Sequence, residues 1–140
     1  MARKSVTFTG LLVLCFIQPL VGHTRVPELP DLKIRQYEFV STNDKWVRVE
    51  LVNEGKVASS PCQLELAIRK INGVGATRST HETVPAIKPG REEWVTIDAS
   101  GILQSATNLK EHTSFRLRVD ETKIVAESNE DNNELWHHPN

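Results

Sequence analysis

The chain is short of cysteine. Cys15 lies inside an apolar N-terminal run, and Cys62 is the only other one. Once that run is removed, no internal disulfide can form even in an oxidising compartment. Stability must then come from a hydrophobic core, which a domain of this size can build. Cys62 reads as a small buried hydrophobe, with a bridge between two chains as the alternative. Basic charge is not in excess either. Removing residues 1–22 takes away Arg3 and Lys4 and no acids, leaving 15 Lys+Arg against 18 Asp+Glu, a formal charge of −3. Attraction to nucleic acid or to anionic lipid is not expected from that balance. HExxH, paired CxxC, GxSxG and a Gly-rich phosphate loop are all missing from the sequence. No motif therefore points to a metallohydrolase, a zinc ribbon, a nucleophile elbow or a nucleotide site, and the chain reads as a non-enzyme.

Apolar runs are also short. The one at the N-terminus, centred on Leu11 to Ile17 (LLVLCFI), follows Arg3 and Lys4 and is broken by Pro19 before Gly22. That is the layout of a secretory signal peptide over residues 1–22, too short for a comfortable membrane span. Export follows as an expectation, to a secreted, periplasmic or cell-surface location, with no membrane span in the mature chain. His23 to Pro30, with Pro27 and Pro30, reads as a leader. Residues 31–138 have the length of one domain.

Helical periodicity is missing as well, and alternation dominates. Leu32 and Ile34 begin a strand, and Tyr37 and Phe39 continue it on the other parity, which predicts a bulge near Gln36. Val47, Val49 and Leu51 share the face of a second strand, and Asn53-Glu54-Gly55 turns the chain. Cys62, Leu64, Leu66 and Ile68 define a third strand. Ile71 to Ser79 reads as a loop, followed by a short strand around Thr80 to Val84 and a turn at Lys88-Pro89-Gly90. Trp94 to Asp98 is the next strand, Ser100 to His112 is polar and irregular, and Phe115, Leu117 and Val119 mark a further inner face. Ile124 to Ala126 and Leu135-Trp136 are the last apolar pieces. About seven short strands over roughly 100 residues predict an all-β, immunoglobulin-like sandwich.

The ordered set Pro30-Asp31-Leu32, VELVNEGKVASSP (Val49 to Pro61), VPAIKPGRE (Val84 to Glu92) and FRLRVDETKIVAESNEDNN (Phe115 to Asn133) resembles the CARDB family, the cell-adhesion-related domain found in bacteria. The resemblance implies an immunoglobulin-like sandwich on exported proteins, acting as an adhesion, display or spacer module. This chain departs from the family pattern in having only Glu134 to Asn140 after the paired Asn, where a full last strand is usual. A short last strand leaves an edge able to accept a partner's strand. Recognition of a protein partner through loops or a strand edge is the expected function.

Two sets of side chains are candidate sites. AESNEDNNE (Ala126 to Glu134) is dense in oxygen ligands, and Asp120, Glu127, Asn129, Glu130, Asp131, Asn132 and Asn133 make a candidate calcium set. The same residues serve equally as caps for the backbone of a tight turn, and EF-hand spacing is not met. Trp46 and Trp94 lie opposite the inner parities of their strands and make a candidate platform for a polysaccharide, the alternative function. His137-His138 reads as a solvated tail, since adjacent strand residues point to opposite faces.

Overall fold

The computed structural model describes residues 27–139, so the expected signal peptide and His23 lie outside the described residues. Seven strands form two antiparallel sheets. β1 (Leu32–Phe39), β2 (Trp46–Asn53) and β5 (Glu92–Asp98) form one, in the order β1-β2-β5. β3 (Cys62–Ile71), β4 (Val74–Val84), β6 (Thr113–Val119) and β7 (Glu134–His137) form the other, in the order β4-β3-β6-β7. The all-β sandwich expected from alternation is the fold observed.

Alternation explains which residues meet in the middle. Val47, Val49 and Leu51 of β2 face Leu64, Leu66 and Ile68 of β3 and Phe115, Leu117 and Val119 of β6, all without solvent exposure. Each such side chain contributes roughly 1.5–3 kcal/mol on burial. The pairing of β1 with β2 shifts between Ile34 and Gln36, and this bulge lets Leu32, Ile34, Tyr37 and Phe39 all reach the core. Cys62 is buried among them as a free thiol. Burial, with the charges of Asp120 and Glu127 adding to it, pushes that thiol up to about 12, so it stays protonated and unreactive.

Three expectations need correction. Ile71 to Ser79 is not a loop. Only Asn72 and Gly73 turn, with φ of 48° and 77°, and Ile71 already pairs with Val74. Two left-handed residues match the natural twist of a hairpin, so the strand continues straight out of the turn. Small polar residues hid it, because an exposed edge strand has no apolar face to display. Ser100 to His112 is not wholly irregular: Asn108 caps a single helical turn, α1 (Leu109–His112), and Leu103 and Leu109 plug the end of the core. His137 is no solvated tail. It is buried and stacks on Phe115 at 4.8 Å between ring centres. Its Nδ1 accepts from the Tyr37 hydroxyl (2.9 Å), and its Nε2 donates to the Lys110 carbonyl (2.8 Å). Neutral imidazole satisfies both bonds, and burial disfavours the charged form. Among the described residues, no helix is long and apolar enough to cross a membrane.

Burial lowers the His137 pKa from its ordinary 6.5. Below that value the unfolded chain takes up a proton at this site that the folded chain resists. Stability supplied by neutral His137 is therefore complete above about pH 6.5 and is lost as pH falls through the lower folded value. Denaturant titrations at several pH values should show wild type losing this component on acidification and His137→Gln lacking it. Parallel pH profiles for the two proteins would contradict the assignment.

Candidate functional site

Polar groups concentrate where the chain enters β1. Asn53 ends β2 on the parity of Val47, Val49 and Leu51, so its amide is carried into the core face and is fully buried. All four of its side-chain bonds are made there. Oδ1 accepts from Asp31 N and Gly55 N (both 3.0 Å), and Nδ2 donates to the carbonyls of Val57 and Ile87 (both 2.8 Å). Its backbone binds the Pro89-Gly90 turn, with Gly90 N donating to Asn53 O and Asn53 N to Arg91 O. Each of these groups left buried without a partner would cost about 1–3 kcal/mol. Gly55 is fixed by the same approach: a Cβ there would stand 2.5 Å from the backbone of Asp31, Leu29 and Pro30.

The acid and amide loop grips the same entrance from the other side. Glu127 Oε2 accepts from Leu32 N across 95 positions of sequence, and Glu127 Oε1 accepts from the Asn133 amide. Asn132 Nδ2 donates to the Asp31 carboxylate (2.8 Å), and Ser128 N donates to Pro30 O (2.9 Å). Three further side chains of this connection cap backbone. Asp120 accepts from Ile124 N and Val125 N, Glu130 from Glu127 N, and Asn129 from Asp131 N. Asp120 itself has φ of 49°, a conformation that Asp tolerates and that starts the turn out of β6. Residues 29–32 are thus clasped between the β2–β3 loop and the β6–β7 connection.

The clasp is not fully saturated. Glu130 Oε2, Asn132 Oδ1 and Asn133 Oδ1 are buried without a hydrogen-bond partner among the described residues, although Lys123 Nζ lies 3.5 Å from Glu130 Oε2. Burial pushes the Glu127 carboxyl up to about 7, against the opposing pull of the Leu32 N–H and the Asn133 amide. Unmatched oxygens of this kind are what a hard cation takes up. The loop carboxylates do not converge as three, however. Among the described residues the set of acid and histidine ligand atoms lying within 4.8 Å of one another is Glu65, His81 and Glu121, on the outer face of the four-stranded sheet. Arg116 occupies that cluster, with Nη2 at 2.8 Å from Glu65 and 3.4 Å from Glu121. A guanidinium already supplies the positive charge there.

Trp46 and Trp94 share the outer face of the three-stranded sheet, paired with Asp98 and Glu50 respectively. Trp46 is exposed, whereas Trp94 is half-buried with the Arg48 guanidinium 4.9 Å above its ring. Sequence reasoning missed Trp136, exposed on the opposite sheet and stacked on His138. It also treated Asn53 as a turn residue only. Its parity with Leu51 was the available signal that the amide points inward. The register that sets His81 opposite Glu65 was hidden, because the Asn72-Gly73 hairpin that fixes it was read as part of a loop.

A three-stranded and a four-stranded antiparallel sheet packed face to face define an immunoglobulin-like sandwich, closed at one end by a polar clasp. The chain belongs to the CARDB family, whose pattern it matches over residues 29–137. Among solved structures it is similar to the CARDB domain of a Pyrococcus furiosus protein, determined in complex with di-metal ions. That match has 21% identity and a TM-score of 0.51, covering 80% of this chain and 93% of the other. It is also similar to a domain assigned to a cell surface protein of Methanosarcina acetivorans, with 20% identity and a TM-score of 0.54, covering 78% and 89%. At these identities the likeness concerns the fold. No curated protein matches the chain.

Proposed function

We propose that this protein is an exported, surface-associated, non-enzymatic module that recognises a protein partner by accepting an extended strand. CARDB membership supports the class of module, and the assignment of one structural neighbour to a cell surface protein supports the location. The observation that carries the mechanism is β4, an eleven-residue strand at the edge of its sheet, paired among the described residues only with β3. The last strand, expected to be the open edge, has four residues and offers far less backbone to a partner.

The direction of the free groups follows from two bonds. Gln63 O accepts from Asp120 N on the β6 side, so Gln63 and its neighbour Thr83 form a non-hydrogen-bonded pair. Thr83 N, turned away from β3, donates to the Glu82 carboxylate instead. By alternation His81 and Ser79 also turn their N–H and C=O outward, where no backbone partner meets them among the described residues. A proline at position 81 removes one outward donor without touching the ladder to β3. Binding of purified protein to cell envelopes of its source organism is therefore expected to fall at least tenfold for His81→Pro. Equal retention of the two proteins would remove the edge mechanism.

The three buried oxygens without partners favour a second element, a calcium ion held at the β6–β7 connection. The set is drawn from Asp120, Glu127, Asn129, Glu130, Asp131, Asn132 and Asn133, with Glu130, Asn132 and Asn133 offering the free atoms. A carbohydrate platform on Trp46 and Trp94 has less support, because Arg48 covers the ring face that a sugar would stack upon. Calcium at about 100 times its dissociation constant adds roughly 2.7 kcal/mol. For a domain of this size, melting should rise on the order of 10 °C over the chelated protein. Identical melting with calcium and with chelator would eliminate the ion.

A further inference from the structure

The edge of β4 carries its own complement. Ser79 and His81 turn their backbone groups outward, while Arg78, Thr80 and Glu82, paired with Ile68, Leu66 and Leu64, spend theirs on β3. Two antiparallel strands join by matching outward residues with outward residues, so a two-fold pairing of β4 with itself has few registers open to it. One sets Ser79 against His81 of the second copy and places Thr80 on the axis. In that register alone Arg78 stands directly opposite Glu82, twice over. Centring on Ser79 instead sets Arg78 against Thr80, and centring on His81 sets Glu82 against Thr80. Non-hydrogen-bonded positions bring side chains closest, and the Arg78–Glu82 pairs fall on such positions. A parallel arrangement would align like charges.

Resting on the edge-recognition reading, we infer that the partner strand is the β4 of a second copy of this chain, paired antiparallel about Thr80. Both charged side chains are exposed and held by bonds that the pairing can replace. Arg78 Nη1 donates to the Ile102 carbonyl at 2.9 Å, and Glu82 accepts from its neighbour Thr83 N at 3.1 Å. In the separate protein the same two charges shield the edge, because inward-leaning charged residues at an edge strand discourage indiscriminate pairing. A second copy in register exchanges them for each other, whereas an arbitrary strand leaves them unmatched. One device therefore excludes most strands and admits its own. The contact is a single strand pair, well under the area of a permanent dimer, so association is weak and concentration-dependent.

Sedimentation equilibrium on the protein as isolated, over a rising concentration series, tests this. Wild type is expected to approach twice the monomer mass at high micromolar concentration. Arg78→Glu and Glu82→Arg, each placing like charges opposite, are expected to stay monomeric with an unchanged far-ultraviolet spectrum. The double variant carrying both reversals restores opposite charges and is expected to recover the dimer. Failure of the double variant to recover would overturn the register, and a wild type that stays monomeric throughout would overturn self-pairing. If wild type is monomeric while envelope binding still depends on His81, the edge serves a different protein's strand and only the self-pairing is lost. If the dimer forms and both single reversals leave it intact, β4 is not its interface.

Discussion

The buried amide of Asn53 is the constraint on which the clasped end of the sandwich depends. A polar group at the inner face of a β-sandwich is costly unless every donor and acceptor is met. Here all four side-chain bonds are made, and their partners come from three separate stretches: the entrance to β1 at Asp31, the β2–β3 loop at Gly55 and Val57, and Ile87 before β5. Each of those stretches runs through loop backbone with its own groups to satisfy. The amide gives them a common anchor. This explains why Asn53-x-Gly55 and Pro89-Gly90, individually ordinary turn signals, belong together in the family pattern.

Glu127 plays the matching part from the far end of the chain. Its carboxylate meets Leu32 N, one residue beyond the amide that Asn53 holds, and is in turn met by Asn133. Residues 29–32 are thereby fixed from both sides before β1 begins. Such an arrangement holds sequence-distant segments by directional bonds and leaves the rest of the core free to be filled by volume alone. It also leaves oxygens of Glu130, Asn132 and Asn133 buried without hydrogen-bond partners among the described residues. The end opposite is closed differently, by apolar plugs from Leu103 and Leu109 and by the stacked ring of His137 against Phe115.

Much of this was legible from the residues. Alternation located five of the seven strands, and the parity change between Ile34 and Tyr37 announced the bulge. What escaped had physical causes. β4 is an edge strand with both faces largely wet, so its first half, Val74 to Ser79, has no alternation to read and resembles a loop, and only Thr80 to Val84 read as a strand. Asn72-Gly73 was a hairpin signal, but it was overridden by the surrounding glycine and polar residues. His137 looked like tail because a four-residue strand is too short to show a period, and its burial depends on Tyr37 and Lys110, which are distant in sequence. In the loop, composition announced oxygen ligands but not their aim. Oxygens of Asp120, Glu127, Asn129 and Glu130 turned out to be directed at backbone N–H groups, a fact of geometry that no count of Asp and Asn contains.

Amide hydrogen exchange in the Asn53→Ala protein tests the clasp most directly. The Leu32 amide makes no hydrogen bond to the side chain at 53, its neighbour across the β1–β2 ladder, and is held by Glu127. If the entrance to β1 is fixed as one unit, loss of the Asn53 amide should release Leu32 together with Asp31 and Gly55. Their protection should fall by at least tenfold more than that of a core amide such as Leu66. Loss of protection confined to Asp31 and Gly55, with Leu32 falling no further than Leu66, would show two independent contacts and contradict the account.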